Sequence, residues 1–412
     1  MVTWSGVIAD MTAFFADLHI HIGRAADNKP VKITAARDLT FENIARECAE
    51  RKGMDLVGII DCAAPAVLRQ IRELLDNGAM VEVDGGGIRY RDAVTLILAA
   101  EMETRERDGG MSHHLCYFRD YDTMQAFSDT LSRFVTNRDL SSQFCHMSAK
   151  DLLKMTLDFG GFLVPAHAFT PHKSVYGSCA RRLSDLFGEL CDEVFCVELG
   201  LSADSDLADR IAELHDRTFL TNSDAHSLPK IGREYNVIRM NTPTFDELQM
   251  ALKREGGRGV VANYGLDPRL GKYHRTFCDT CQRVEESPPP VGVCPQCGST
   301  DVTKGVLDRI VEIQDFEETR HPPHRPPYYY QVPLQFVPKV GAVTLNKLLN
   351  RFGTEMNVLH RASREDLEQV VGRDIAASIL AAREGKATLT AGGGGRYGKM
   401  VGTEKEKQMS LF

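Results

Sequence analysis

The chain has 412 residues, 43 % of them hydrophobic and 26 % charged, so it is too long for one ordinary core and reads as two or three domains. No run of about 18 apolar residues occurs, which excludes a transmembrane helix, and the start MVTWSGVIADMTAFF lacks a secretory signal's basic region and cleavage site. The formal net charge of −8 argues against wholesale nucleic-acid coating, and an odd 11 cysteines, four of them in two CxxC pairs, fit a reducing cytoplasm better than a disulfide framework.

From residue 14 to about 262, short apolar runs alternate with helix-like stretches. FFADLHIHI, DLVGIID, AVTLILAAEME, HHLCYF, GFLVPAH, VFCVELG and FLTNSDAH read as strands. TFENIARECAERKG and AVLRQIRELLDNG read as amphipathic helices closed by glycine. Repeated strand–helix units predict a parallel α/β sheet, open or closed into a barrel, with chemistry at the carboxyl ends of the strands.

Polar residues gather at those ends. His19 and His21 lie two apart in a strand and share a face, where two buried imidazoles need a ligand. Glu101 ends AVTLILAAE, His113 and His114 open HHLCYF, His167 ends FLVPAH, and Asp224 and His226 end FLTNSDAH. A convergent set of imidazoles and carboxylates suits Zn, Mn, Mg or Fe and holds two or three ions when a carboxylate bridges them. His172, Lys173 and Arg233 follow in nearby loops and could meet a phosphate.

The second part is mildly basic from Arg258 on, which suits a polyanion. Cys278, Cys281, Cys294 and Cys297 form two CxxC knuckles of the spacing that closes one structural tetrahedral zinc. HPPHRPPYYYQVPL reads as a connector whose Tyr328, Tyr329 and Tyr330 could stack on bases. Then VPKVGAVTLNKLLNRFG, with a looser second copy in EDLEQVVGRDIAASIL, resembles a helix-hairpin-helix unit. Lys339, Gly341 and Arg373 are the expected DNA phosphate contacts there. The Gly-rich tail has the composition of a flexible segment.

The order HxH, strand-end acid, HxL, AH, SDAH resembles the PHP (polymerase and histidinol phosphatase) domain, a distorted seven-stranded barrel that carries a multi-metal centre. The resemblance implies one ion on His19, His21, Glu101 and Asp224, a second on Glu101, His167 and either His113 or His114, and a third facing His226. It assigns Glu101, Asp224 and His226 to catalysis. Where that family has Asp-His after its second strand, this chain has Asp61-Cys62, so either Cys62 ligates as a thiolate or two ions suffice.

The whole order of parts, with ELGLSADS, TNSDAHSLPKIGRE and GGGGRYGKM, resembles the endonuclease Q family. That resemblance implies a metal-dependent DNA repair endonuclease cutting 5′ of hypoxanthine, uracil, xanthine or an abasic site. The competing expectations are a small-molecule phosphatase of the histidinol-phosphate kind and a silent DNA-binding adaptor. The expected boundaries are a metal-dependent phosphoesterase domain over 1–265, a zinc module over 272–305, a connector over 306–334, a DNA-binding helical domain over 335–388 and a tail over 389–412. The final QMSLF is similar to a bacterial sliding-clamp peptide, with Gln408, Leu411 and Phe412 as its contacts.

Overall fold

A computed structural model describes residues 11–390, 392–397 and 399–403, so Gln408, Leu411 and Phe412 lie outside the described residues. Seven strands frame the first part: β1 (Thr12–Ile20), β2 (Leu56–Ile59), β3 (Val94–Arg105), β4 (Met111–Phe118), β5 (Phe162–Pro165), β6 (Cys196–Glu198) and β7 (Thr218–Leu220). β1 runs parallel to β2, and β2 to β3. β4 is antiparallel to β3, β5 antiparallel to β4, and β6 parallel to β7. Two joins complete the ring. The Ala168 N–H donates to the Glu198 carbonyl at 2.8 Å between the ends of β5 and β6. Ala225, just past β7, bridges in parallel to Ile20 of β1. The result is a distorted seven-stranded α/β barrel.

It is not parallel throughout, which corrects the reading from strand–helix alternation. Glu106–Gly110 is a short turn between β3 and β4, with Gly109 at φ +92°. A parallel neighbour would need a crossover of about a dozen residues or more, so this turn permits only a hairpin.

Alternation along the strands sorts residues into two cores. Leu18, Ile97, Ala99, Leu115, Tyr117 and Phe162 fill the barrel. Cys116 and Phe118, one residue out of phase on β4, join the outer core under the helices. Helix Pro65–Asp76 buries Val67, Leu68, Ile71 and Leu74, the stripe its spacing requires. Each fully buried side chain of this size contributes about 1.5–3 kcal/mol. A register shift in β1 between Asp17 and Ile20 moves Ile20 and Ile22 to the outer core and turns His19 and His21 toward the mouth.

Two further strands, β8 (Tyr235–Met240) and β9 (Gly259–Gly265), widen the sheet beyond β1 with antiparallel pairing. Tyr328–Tyr330 adds a parallel strand at the edge of β9. Residues 306–334 are therefore more than a connector: they also hold helix Val306–Ile313, with Val306, Ile310 and Ile313 buried. Arg325 anchors the stretch, its guanidinium 2.7 Å from Asp209 and 3.4 Å above the Phe219 ring.

The cysteine module has three short strands, Phe277–Cys278, Arg283–Val284 and Val302–Thr303. Helices Ala342–Phe352, Glu355–His360, Arg364–Val371 and Arg373–Arg383 form the helical part. It packs on the barrel through Lys52 and Glu355 at 2.8 Å and through His360, whose Nε2 lies 2.6 Å from the Tyr235 hydroxyl. The described end of the chain departs from the expected flexible tail: Ala387–Thr390 pairs antiparallel with Lys399–Thr403.

Candidate metal centre

β1, β3 and β4, with the turns that follow β5 and β7, bring six of the expected residues to one point. Glu101 and His113 lie on the inner phase of the β3–β4 hairpin, and His113 Nδ1 sits 3.0 Å from Glu101 Oε1. His19 Nε2 lies 3.8 Å and His167 Nε2 3.7 Å from the same oxygen. His21 Nε2 faces Glu101 Oε2 at 3.8 Å. Asp224 Oδ1 lies 3.5 Å from His19 Nε2 and 3.4 Å from His21 Nε2. His226 stands at the rim with Nδ1 3.4 Å from Asp224 Oδ1. His167 and Asp224 both have left-handed backbone, at φ +32° and +45°. Such strain in non-glycine residues marks positions held by the surrounding structure.

Three overlapping donor groups result: His19, His21 and Glu101; His21, Asp224 and His226; Glu101, His113 and His167. His19 Nε2 is buried and without a hydrogen-bond partner, and His113 Nδ1, though 3.0 Å from Glu101 Oε1, is not aligned for a hydrogen bond to it; both aim into the cluster. Two imidazole nitrogens without an aligned hydrogen bond, beside an anionic carboxylate, are what a divalent ion satisfies. These residues fit a multi-ion centre bridged by Glu101.

Glu198, Lys32 and Glu103 were not anticipated as partners of the cluster, and Asp61, expected among the metal ligands, stands behind His21 instead. Both oxygens of Glu198 meet His19 Nδ1, at 3.1 and 2.9 Å. Asp61 Oδ2 meets His21 Nδ1 at 3.0 Å and accepts the Ile22 N–H at 2.7 Å. These carboxylates fix the protons on Nδ1 and leave Nε2 for the centre. Burial works against a charged His19, but Glu198, Asp224 and Glu101 outweigh it and raise its pKa to about 10. The same three carboxylates make the pocket anionic, so a divalent cation bound there would displace that proton. Lys32, its side chain 16 % exposed, donates to Glu101 Oε2 at 3.0 Å and to Ser142, which itself donates to Glu101. Glu103 holds His113 Nε2 at 3.3 Å and Lys173 at 2.7 Å, and its carboxyl is lowered to about 2, chiefly by the bond to His113.

Other expected residues do not join. His114 is on the opposite face of β4, bonded to Ser112 at 2.8 Å and packed on Phe187. Burial lowers its pKa to about 3, so it is a neutral core histidine, and strand alternation chooses His113. The Cys62 thiol turns into the outer core and donates to the Ile59 carbonyl at 3.1 Å, with burial pushing its pKa up. It is no thiolate ligand, and Asp61 acts through His21. Arg233 lies behind Asp224, giving Nε to the Ser223 carbonyl at 2.7 Å.

Away from the barrel, the Sγ atoms of Cys278 and Cys297 are 3.8 Å apart and those of Cys281 and Cys294 3.9 Å. A tetrahedron with metal–sulfur bonds of about 2.3 Å has edges of about 3.8 Å, so the cluster fits a zinc ribbon. In the helical part, Gly341 caps helix Ala342–Phe352, but only the short turn Leu334–Phe336 precedes it in place of a full first helix. The second copy is more complete: Gly372, at φ +81°, joins two helices, and Arg373 lies exposed beside Glu368. Lys339 is exposed at φ +66°. Of the tyrosines, Tyr328 bonds to the Leu266 carbonyl at 3.3 Å and serves the sheet edge rather than a ligand. Tyr329 is 45 % exposed and stacks on Tyr264. Among the described residues no helix is long and apolar enough to cross a membrane.

Comparison with known proteins agrees with this geometry. A family model described as PHP-associated matches residues 204–255. The chain is 47 % identical to the uncharacterized protein YqxK of Bacillus subtilis, over 95 % of this chain and 100 % of that protein. It is similar to the lesion-specific endonuclease Q of Pyrococcus furiosus, with a TM-score of 0.81 and 33 % identity over 95 % of this chain and 96 % of that one. A second endonuclease Q structure, in complex with a 27-mer duplex substrate carrying an abasic lesion at the active site, gives a TM-score of 0.80 and 33 % identity over 96 % and 98 % of the two chains. Sharing a third of its residues across almost the full length of both chains, this chain belongs to the endonuclease Q family.

Proposed function

We propose that the chain is a metal-dependent DNA repair endonuclease that hydrolyses the phosphodiester 5′ of a deaminated base or an abasic site. The observation that carries this reading is the Glu101-centred cluster at the barrel mouth, set in a chain similar from end to end to an endonuclease Q bound to abasic DNA. The first ion would rest on His19, His21, Glu101 and Asp224, the second on Glu101, His113 and His167, with His226 at the rim. Divalent ions there supply Lewis acidity toward a phosphate and make water a usable nucleophile near neutral pH.

The chain's own groups do the rest. Glu198 and Asp61 aim His19 and His21. Lys32 neutralises the outer oxygen of Glu101. Zinc, manganese, magnesium and iron all suit such nitrogen and oxygen donors. Zinc is the natural occupant of the four thiolates.

In the helical part, Lys339, Gly341 and Arg373 present backbone N–H groups and cations to DNA phosphates without reading sequence. Gln408, Leu411 and Phe412 would dock on the sliding clamp and keep the enzyme near DNA. A small phosphate ester would need none of these additions.

The test is a labelled duplex carrying one hypoxanthine, uracil or abasic site, incubated with Mn²⁺ or Mg²⁺. A single nick 5′ of the lesion, absent from undamaged DNA and from Asp224→Ala, is expected. DNA binding without cleavage under any metal would favour a silent adaptor instead.

A further inference from the structure

The described end of the chain returns to the catalytic mouth. Between the paired strands Ala387–Thr390 and Lys399–Thr403, the loop passes through Gly392 to Tyr397. Its glycines are not a spacer. The Gly392 N–H donates to the Arg269 carbonyl at 2.7 Å. Gly393 lies so close to Val284 that any side chain there would overlap it. A Cβ on Gly394, at φ +56°, would sit 2.5 Å from the Phe277 ring. Phe277 and Val284 face each other across two strands of the cysteine module, and Phe277 adjoins the ligand Cys278. The module therefore cradles a loop that only glycine can build.

The cradled loop delivers Tyr397 to a cavity of about 200 Å³ whose lining includes His167, Asp224, Lys272 and Tyr273. The Tyr397 hydroxyl accepts from Arg233 Nη1 at 3.2 Å. Its ring lies 5.3 Å from the Arg233 guanidinium carbon and 4.6 Å from Lys272 Nζ. Arg233 is in turn tied to the Ser223 carbonyl, next to Asp224. One aromatic ring thus fixes two cations beside the metal cluster, as ring faces do.

We propose that Tyr397 is a positioning residue for the substrate nucleotide. With Tyr273 it forms the aromatic wall of the cavity and holds Lys272 toward the entering phosphate, while the buried Arg233 anchors its hydroxyl from behind Asp224. The cysteine module contributes to cleavage by bracing the loop that carries it. This rests on the endonuclease reading. It gives the zinc site, distant in sequence from the barrel, a route to the chemistry. It also places the start of the C-terminal tail in mechanical contact with the mouth.

The experiment compares the full chain with Tyr397→Phe, Tyr397→Ala and Gly394→Val on two duplexes, one with hypoxanthine and one with an abasic site. KM, kcat and bound zinc are measured for each. Because stacking on an aromatic ring is lost, Tyr397→Ala is expected to raise KM for the hypoxanthine duplex about tenfold or more, and less for the abasic one. Tyr397→Phe, which keeps the ring, recovers most of that loss. Gly394→Val reproduces the alanine phenotype with zinc still bound, since it displaces the loop and spares the cysteines. Wild-type constants for Tyr397→Ala on both duplexes, with zinc retained, would overturn the proposal and leave the endonuclease reading standing. An equal fall in kcat on both duplexes at unchanged KM would also overturn it. Failure of the wild-type chain to nick either duplex would instead remove the endonuclease reading.

Discussion

Replacing Glu198 with glutamine tests whether the centre depends on how its histidines are aimed. Glu198 is 1 % exposed and serves four contacts. Its two oxygens take His19 Nδ1 at 3.1 and 2.9 Å, the His167 N–H at 3.0 Å and the Asn222 amide at 2.8 Å. All of these partners can donate, so the carboxylate is a hub of acceptors. Glutamine keeps one acceptor and turns the other into a donor that must face a donor. A buried unsatisfied polar group costs about 1–3 kcal/mol. Losing the carboxylate behind a ligating histidine typically weakens metal affinity about 10–100-fold. At about 1.4 kcal/mol per tenfold, the ion on His19 should lose about 1.4–2.8 kcal/mol. His167 shifts as well, because its N–H shares the hub, so both ions weaken together. The assay is a chelator titration followed by elemental analysis, with nicking measured at limiting and saturating Mn²⁺. Nicking should fall at limiting metal and largely return at saturation. If Glu198→Gln keeps wild-type ion content at every chelator concentration, the orienting role assigned to Glu198 is wrong.

Further outcomes follow from other groups. Lys32→Met removes the cation beside Glu101; breaking a buried pair costs about 3–5 kcal/mol, so melting should occur at lower temperature, and added Mn²⁺ should restore it more than it stabilises the wild type. Burial raises Glu234 to about 8 while the Leu266 N–H opposes this, so the native state holds the proton more tightly than the unfolded chain. Stability from this group is therefore present below the ordinary carboxyl range and is lost as pH rises through about 8, and Glu234→Gln should flatten that slope by a few kcal/mol in urea melts. Cys281→Ser should lose the module's zinc by elemental analysis while the barrel keeps its own ions. Truncation after Lys407 should abolish a pull-down by purified sliding clamp and leave nicking of a short duplex unchanged; equal capture of both chains would refute the clamp peptide.

The parts of the site that were legible in the sequence are those that strand periodicity controls. His19 and His21, two apart, had to share a face, and His167 and Asp224 had to follow strand ends; Glu101 ends its apolar run but lies inside β3, which continues to Arg105. The same rule separates His113 from His114 once the phase of β4 is known, but that phase depends on the hairpin register of Glu101 with Leu115, a tertiary fact. The hairpin itself left a signal in Asp108-Gly109-Gly110, which strand–helix counting passed over. Glu198 also left one, since it closes the apolar run VFCVE as Glu101 closes AVTLILAAE. Lys32 left none: a lysine in a polar loop looks like any surface lysine until the fold sets it against a residue 69 positions away. The glycine run misled for the opposite reason. Composition cannot tell a flexible glycine from one required for close approach, and here Phe277 and Val284 decide it.

The depth of the cluster bears on how a centre with no base contact of its own becomes selective for lesions. Glu101 is 2 % exposed at its side chain, whereas Asp224 is 32 % and His226 26 % exposed, so the mouth opens most widely on the Asp224 side. Ions held by these residues would polarise whatever phosphodiester reaches them, so the chemistry itself would be indifferent to the base. The rigid helix around it would keep a phosphate of a stacked duplex at the rim. To reach Asp224 its nucleotide must leave the stack, and unpairing costs least at a mismatched, deaminated or abasic position. Selection thus lies in delivery rather than in hydrolysis. On this account substitutions in the cluster should lower cleavage of every lesion alike, while substitutions in the cavity wall should change the ranking of lesions. Measuring both classes on one panel of duplexes would separate the two, and a cluster substitution that reordered the lesions would show that the base is read at the metals after all.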